Sequence, residues 1–468
     1  MPEEGGRSAI GSLVPLLIGA LLIPVALGSS ATIFGDGDVS WHIATGEWIL
    51  NHRAIPHTDP FSFTWAGKPW VPIEWLAELI EAAAFRLAHY SGVAALVTAA
   101  LLVVHGLVYS NAVRSIRPWA AVVLVIAMDA VLIPMLLARP HVLAWALVAL
   151  WTWVMLRARE RRRAPPLAAA LLMTVWANLH GSFVIGLAIA GAFGLDALVA
   201  EKDRKPVLRE WVPFGLACAV AVLINPNGLS GVIHPLRMAN LGMLPLIDEW
   251  KPSSLAVTPY FFGVLALVAV VLVVRRPRMP PVRALLIVGL LALALMQVRH
   301  QAVFAIVTAM LLPGPLGRTV AEPLNRRAAA MLAGAGALFV AIRAVLPMQL
   351  PYNGANPWPL IARVPPALRS QPVLNGYSMG GPLILSGIRP FVDGRGDMYG
   401  DAFIFNYKRI SDGDPAAFAA AQKKWGFRWA ILPRGTTKLI ALLDRTPGWR
   451  RAYGDAVGVI YVRDATSA

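Results

Sequence analysis

Two carboxylates one residue apart, Asp36 and Asp38, follow the first long apolar run of the chain. A pair at this spacing can hold a divalent cation such as Mg or Mn, which would neutralise a phosphate. Alternatively, one carboxylate can act as a general base towards the hydroxyl group of an acceptor. A solvated acidic turn would have the same sequence. We interpret Asp38 as the main catalytic candidate, since it lies nearer to the start of a predicted helix, and keep both residues as candidate metal ligands.

His42 is the third candidate catalytic residue. It lies four residues after Asp38, so both side chains share one face of the predicted helix. From there His42 would orient the Asp38 carboxylate or contact a phosphate, and an interfacial histidine is the structural alternative. The helix is predicted over 39–52, because its apolar residues recur at helical spacing, and Pro56 is expected to end it.

Further ionisable residues occur where apolar runs meet polar loops. Arginines at such helix ends could clamp a phosphate, or simply extend their side chains towards water. The candidate substrate-binding residues are Glu74, Arg139, His141, His180, Arg299 and His300. For His180, a structural role at a tight turn is an equal alternative. Asp393 and Arg395 could bind an acceptor, although an ion pair between them is the favoured interpretation.

The composition indicates a polytopic membrane protein. Of the 468 residues, 57% are hydrophobic and 15% are charged, whereas soluble domains average about 25% charged residues. The net charge of +16 is expected to come from cytoplasmic loops. Binding of nucleic acid would need a soluble basic face, which the sequence lacks. The single cysteine, Cys218, excludes an intramolecular disulfide.

About eleven apolar runs are candidates for membrane-spanning helices, which need about 20 residues each. The candidate spans are 9–30, 93–112, 119–137, 142–157, 165–179, 183–200, 207–224, 259–274, 283–298, 301–317 and 328–346. The run 9–30 is interpreted as an uncleaved first helix, because it is longer than the apolar region of a typical signal peptide.

Lysine and arginine are concentrated in alternate loops, such as 157–163, 202–209 and 275–283. These loops are therefore expected to be cytoplasmic, with the N-terminus inside and the C-terminal region outside. The candidate residues then fall at the outer ends of the helices. Ionisable groups at membrane depth usually face a cavity or each other. We expect them to converge on one cavity that opens to the outer face.

Two long loops lie on the predicted outer side. In the first, 34–73, an aromatic segment at 58–70 is expected at the level of the lipid headgroups. An interfacial helix over 73–90 follows, with Glu74, Glu78 and Glu81 on one face; alternatively, Glu74 faces the cavity and the other two are solvated. The second loop, 226–257, is either a flap over a groove for a lipid chain or an ordinary connector.

The composition changes after residue 346. The Pro-rich stretch 347–372 has no periodicity and is interpreted as a linker. Residues 373–468 are predicted to form a small α/β domain. Its predicted strands are 391–393, 429–432, 449–453 and 457–462, and its predicted helices are 414–425 and 437–443.

Several stretches of this chain resemble bacterial multi-spanning proteins related to the C-type (GT-C) glycosyltransferase superfamily. The resemblance is carried by Asp36–Leu50, Ile55–Thr64, Trp70–Trp75, Ala138–His141, Trp176–Gly181, Asn225–Gly228 and Phe391–Arg395. It covers most of the chain, and it extends more distantly to protein mannosyltransferases and lipid A aminoarabinose transferases. Residues 1–346 would then form a GT-C-like transmembrane domain in the bacterial cytoplasmic membrane, followed by a periplasmic domain.

The resemblance implies a polyprenyl-phosphate sugar donor, an inverting transfer, and an essential acidic residue in the first outer loop. That residue corresponds to Asp38, with Asp36 beside it. The pair here is Asp-Gly-Asp without a clear second acidic motif, which leaves metal dependence open. The acceptor could be a lipid, a glycan or a protein.

The resulting hypothesis is a membrane glycosyltransferase in which Arg139 or Arg299 holds the phosphate and Asp38 takes the acceptor proton or aligns the attack. A polysaccharide polymerase or ligase is the first alternative, and it would depend on the cations rather than on Asp38. A transporter of lipid-linked saccharides is the second, and it would need functional polar groups on both sides of the membrane.

Overall fold

The computed structural model describes residues 33–317 and 326–464. The predicted first span, 9–30, lies outside these residues. The helices are α1 Asp38–His52, α2 Trp75–Ala112, α3 Pro118–Leu132, α4 Pro140–Glu160, α5 Leu171–Leu179, α6 Phe183–Ala200, α7 Arg204–Ala221, α8 Gly228–Met238, α9 Pro259–Arg275, α10 Pro281–Met296, α11 Gln301–Leu311, α12 Pro313–Leu316, α13 Arg326–Val345, α14 Trp358–Ala362, α15 Pro366–Arg369, α16 Gly380–Leu385, α17 Gly396–Ser411, α18 Pro415–Trp425 and α19 Thr437–Arg445. The strands are β1 Val373–Asn375, β2 Trp429–Pro433, β3 Trp449–Gly454 and β4 Gly458–Arg463.

Apolar helices form most of the molecule, as expected for a multi-pass membrane protein. Within the described residues, 4 helices are long and apolar enough to cross a membrane: Trp75–Ala112, Pro118–Met135, Pro140–Glu160 and Phe183–Ala200. The shorter apolar helices are Leu167–Leu179, Pro259–Arg275, Pro281–Met296, Val298–Leu311 and Ala329–Val345. These positions agree with the predicted runs, whereas the predicted number of about eleven spans is not confirmed.

Helix α2 combines the predicted interfacial helix and the span after it. Non-helical backbone at Ala88 and His89 separates the two parts. The expectation that Glu78 and Glu81 are solvated is wrong, because they are only 1% and 2% exposed. Helix α1 covers them, and it approaches closely because residue 46 is glycine: a Cβ there would lie 1.9 Å from the carbonyl oxygen of Glu78.

The C-terminal region contains a four-stranded sheet in the order β1-β2-β4-β3. Strands β1 and β2 are parallel, and the other pairs are antiparallel. The predicted strand 391–393 is wrong. This stretch is held by the side chain of Asn375, which accepts the N–H of Phe391 at 2.7 Å and donates to the carbonyl of Val392 at 2.8 Å. Asn375 therefore replaces the ladder of a neighbouring strand.

The predicted linker 347–372 is also only partly correct. Helix α14 brings Leu360 into the core of the sheet domain, where Val364 and Ile361 are buried beside it. Prolines interrupt the periodicity of this stretch, so its buried side chains give no helical or strand pattern. The second half of the stretch is part of the C-terminal domain.

The aromatic segment 58–70 packs on the C-terminal domain. The ring of Phe63 contacts Trp425, and that of Trp65 contacts Tyr399, with centroid distances of 6.0 and 5.8 Å. The hydroxyl of Thr64 donates to a backbone carbonyl of the domain at 2.8 Å. These contacts join the 34–73 loop to the end of the chain.

Arg395 reinforces this junction. Its guanidinium contacts Asp393, as the favoured interpretation of the sequence had it, and also Asp59 of the 34–73 loop, each at 2.7 Å. All three side chains are at most 1% exposed. Burial raises the pKa of the Asp393 carboxyl, but Arg395 outweighs this effect and holds the pKa below its usual range.

Candidate active site

The start of α1 places the two aspartates. Asp36 accepts the backbone N–H of Asp38 at 3.0 Å, which forms a tight turn directly before the helix. The C-terminal domain then passes close over this turn. A Cβ on Gly394 would lie 1.8 Å from Oδ1 of Asp38, so only glycine fits at that position. The carboxylate of Asp38 is therefore enclosed between α1 and the segment after residue 393.

Arg139 lies at the centre of an acidic cluster. Its guanidinium contacts Asp36 at 2.9 Å, Asp38 at 3.2 Å and Glu249 at 3.3 Å. Pro140 opens α4 and favours the extended backbone that Arg139 adopts. The sequence had suggested Arg139 as a phosphate clamp, but here three carboxylates already share its charge.

Arg299 is the second cation of the site, and it contacts fewer carboxylates than Arg139 does. It contacts Glu249 at 3.5 Å and stacks over the ring of Trp250 at 4.1 Å. Glu249 was not a predicted site residue. It joins Arg139 to Arg299, and the only signal in the sequence was its position in a polar run of the 226–257 loop.

Within this cluster, the pKa values of Asp38 and Glu249 are shifted in opposite directions. Burial, together with the nearby Asp36, raises the pKa of Asp38 to about 7 although Arg139 opposes this. Burial also acts on Glu249, but Arg139 and Arg299 prevail and lower its pKa to about 2. Near neutral pH, Glu249 is therefore ionised while Asp38 is poised between its two forms.

Glu74 lies between two histidines. It precedes α2, and its carboxylate is 3.3 Å from Nε2 of His180 and 4.0 Å from Nε2 of His42. His42 also contacts Glu78 through Nδ1 at 3.3 Å. Burial raises the pKa of Glu74 to about 7. Burial lowers the pKa of His42 and of His180 well below the usual range, so both imidazoles are neutral.

All the predicted substrate-binding residues line one cavity of about 670 Å³. Its polar lining includes Glu74, Arg139, His141, His180, Glu249, Arg299 and His300. The apolar lining includes Val131, Met135, Ile185, Phe261 and Leu293. Among the described residues, the predicted catalytic Asp36, Asp38 and His42 lie behind this surface rather than on it. The cavity forms where the loops between successive helices meet.

Comparisons with known proteins show what this arrangement is similar to. Neither a protein-family model nor a curated protein matches the sequence. Among solved structures, ArnT from Cupriavidus metallidurans in the apo state has a TM-score of 0.56 at 14% identity, with 98% of this chain and 99% of that chain covered. The oligosaccharyltransferase AglB from Archaeoglobus fulgidus, in complex with an inhibitory peptide and a dolichol-phosphate, has a TM-score of 0.56 at 12% identity, with 98% and 74% covered.

A further structure of the Archaeoglobus fulgidus enzyme, in complex with Zn and sulfate, has a TM-score of 0.54 at 13% identity, with 96% of this chain and 73% of that chain covered. These proteins are GT-C glycosyltransferases. The chain has the GT-C fold. The resemblance inferred from the sequence is thereby confirmed for the fold over nearly the whole chain.

The divalent cation suggested by the sequence does not fit this site as it stands. Carboxylate oxygens suit Mg or Mn, and Asp36 and Asp38 supply them. However, the guanidinium of Arg139 occupies the position between the two carboxylates. Nor does any group of three or more His, Cys, Asp or Glu side chains within residues 33–317 and 326–464 have a geometry suited to a metal. Arg139 therefore supplies the positive charge here.

The 226–257 loop forms a wall of the cavity. Helix α8 presents His234, whose Nε2 is 3.0 Å from a carboxylate oxygen of Asp397 in α17. Asp401 accepts the backbone N–H groups of Gly242 and Met243, each at 2.9 Å. The loop is thus fastened to the C-terminal domain, which makes it more than a simple connector.

Proposed function

We propose that this chain is an integral-membrane glycosyltransferase that moves a sugar from a polyprenyl-phosphate donor to an acceptor. The observation that carries the proposal is the cavity, which combines an apolar wall with two half-buried arginines, Arg139 and Arg299. An apolar chain that ends in a phosphate matches both parts of that lining. Glycosyl transfer is also the activity named for the solved proteins that share this fold.

In the proposed enzyme, Arg299 binds the donor phosphate. Arg139 already contacts three carboxylates, whereas Glu249 is the one carboxylate within ion-pair distance of Arg299 among the described residues, and Arg299 stacks above Trp250. Its guanidinium can therefore present N–H groups to the phosphate oxygens. His180 and His141, both on the cavity wall, would surround the same headgroup. Asp38 and Asp36 would hold Arg139 and align the reacting groups.

The reaction would be an inverting displacement. The acceptor hydroxyl oxygen forms a bond to the anomeric carbon, and the bond from that carbon to the phosphate oxygen breaks. Polyprenyl phosphate leaves with the electron pair, and a base of the protein takes the hydroxyl proton. The site would face the outer side of a bacterial cytoplasmic membrane, with the N-terminus in the cytoplasm, as the distribution of loop charges predicts. The acceptor would be a lipid, a glycan or a protein.

The proposal is tested with purified protein in lipid nanodiscs and a radiolabelled polyprenyl-phosphate sugar. Wild-type protein should transfer the label to a cell-envelope acceptor fraction, and Arg299→Ala should reduce transfer at least tenfold, mainly through a higher KM for the donor. Arg237→Ala is the matched control, because Arg237 is exposed in α8 of the 226–257 loop and is not among the residues that line the cavity. Full transfer by Arg299→Ala would contradict the role of Arg299, and no transfer by wild-type protein would contradict the function.

A polysaccharide polymerase or ligase is a second candidate. One observation favours it: Arg139 and Arg299 line the cavity, whereas Asp38 lies behind it. In such an enzyme the cations would carry the reaction and Asp38→Asn would retain transfer. Products of several linked repeats in the same nanodisc assay, made equally well by Asp38→Asn, would support this candidate.

A further inference from the structure

Three carboxylates at the start of α2, those of Glu74, Glu78 and Glu81, lead from the cavity into the protein interior, and their burial needs an explanation. Glu74 and Glu78 line the cavity, and Glu81 is buried further along α2. Among the described residues, no arginine or lysine lies within ion-pair distance of the three, and one carboxylate oxygen each of Glu78 and Glu81 has no hydrogen-bond partner. Carboxylates buried without a cation are costly unless they carry protons.

An imidazole links the first two members of this row. His42 is fully buried; its Nε2 is 4.0 Å from Glu74 and its Nδ1 is 3.3 Å from Glu78. With the proton on Nδ1 donated towards Glu78, Nε2 is free to accept a proton from the side of the cavity. Glu74, His42 and Glu78 thus lie in a row of groups that can bind and release protons, in which His42 is hydrogen-bonded to Glu78 and its Nε2 faces Glu74 without a hydrogen bond.

We propose that Glu74 is the base that removes the proton from the acceptor hydroxyl, and that His42 and Glu78 are positioning residues that hold it ready and share the proton. This assignment rests on the proposed glycosyl transfer. As the acceptor O–H bond breaks, its oxygen bonds to the anomeric carbon and its proton moves to Glu74. The phosphate oxygen of the donor takes the electron pair of the broken glycosidic bond.

Access decides between Glu74 and Asp38. Burial raises the pKa of both groups to about 7, so basicity does not separate them. Asp38 is bound to Arg139 and enclosed by Gly394, and it is not part of the cavity surface. Glu74 is on that surface, and the groups within 4.0 Å of its carboxylate include two neutral imidazoles, those of His42 and His180. A base must reach the proton that it removes.

The first test compares Glu74→Gln with wild-type protein in the nanodisc transfer assay. Loss of a general base should lower kcat by about 10²- to 10⁴-fold while the KM for the donor stays unchanged. Glu47→Gln, at a half-buried glutamate of α1 that is not among the residues lining the cavity, should retain full kcat. If Glu74→Gln and wild-type protein are equally active, the assignment fails while the proposed function stands. An inactive wild-type protein would overturn both.

The pH dependence and a rescue experiment distinguish a base from a structural residue. Because the base must be deprotonated, wild-type kcat should rise with pH through about 7, and residual Glu74→Gln activity should not. Other charged or titratable groups also face Glu74, namely Arg139, Arg299, Asp397, Glu249 and the two imidazoles. The rise of kcat with pH, here called the acid limb of the profile, must therefore be lost in Glu74→Gln and kept in Glu47→Gln. Added formate should restore part of the activity of Glu74→Ala. A retained acid limb in Glu74→Gln, or no rescue, would overturn the assignment.

The positioning role of the imidazole has its own readout. His42→Gln keeps a polar side chain of similar size but cannot bind a proton. We expect a lower kcat with an unchanged KM for the donor, and we expect kcat to rise over a different pH range than in wild-type protein. An unaltered pH profile would limit the proposal to Glu74.

Discussion

Arg139 serves as the only cation in direct contact with Asp36 and Asp38 among the described residues. A guanidinium between two carboxylates does by hydrogen bonds what a divalent cation would do by coordination. Arg139 also contacts a third carboxylate, that of Glu249. The positive charge of this site is thus part of the polypeptide.

Arg139→Ala should therefore turn the cluster into a metal site. Without the guanidinium, three carboxylates would face each other, and a hard divalent cation would relieve their repulsion. We expect Arg139→Ala to bind one Mn²⁺ per chain, measured by electron paramagnetic resonance, at least tenfold more tightly than wild-type protein. Arg237→Ala should behave as wild-type protein does. Tight Mn²⁺ binding by wild-type protein that is lost in Asp36→Asn would show that Arg139 gives way to a metal.

At this scale the sequence predicts candidates better than it predicts their partners. The residue types at helix ends identified six side chains that line the cavity. Glu249 was missed because it meets Arg139 across 110 positions of the chain. Likewise, no local sequence pattern could show that Arg139 contacts more carboxylates than Arg299 does. Such pairings depend on how the loops meet in space.

Helices were easier to locate than the less regular elements that hold them. The spacing of apolar residues placed α1 and the spans after it, because burial or lipid requires that periodicity. It failed at 391–393, where Asn375 supplies the hydrogen bonds of a strand. The spacing of apolar residues also could not show that Glu78 and Glu81 are buried. Their burial depends on the close approach of α1, which Gly46 permits.

The junction between the 34–73 loop and the C-terminal domain should contribute strongly to stability. Arg395→Ala would leave Asp59 and Asp393 buried without their partner, which typically costs about 3–5 kcal/mol. We expect a clearly lower Tm in detergent, measured by intrinsic fluorescence. Arg389→Ala, an exposed arginine nearby, should leave the Tm unchanged. Equal Tm values for the two variants would show that the junction is held by its aromatic contacts instead.

The orientation of the whole molecule can be tested because its one cysteine is inaccessible. Cys218 is buried, with 1% exposure, and should not react with a membrane-impermeant maleimide. The loop charges predict that Ala456→Cys reacts from the outside of intact cells and that Arg163→Cys reacts only after permeabilisation. Both positions are exposed in the folded chain. The opposite pattern would reverse the predicted topology and move the site to the cytoplasmic side.

The contact between Asp59 and Arg395 also bears on how the protein is made. The two residues are 336 positions apart, and chains are synthesised and generally folded from the N-terminus. The loop that holds the aspartates must therefore wait, with Asp59 unpaired, until almost the entire chain has been inserted. Only then does the segment around Gly394 cover Asp38 and complete the cavity wall. Nascent or truncated chains would therefore lack the complete cavity wall, and the proposed activity would begin only in the finished protein.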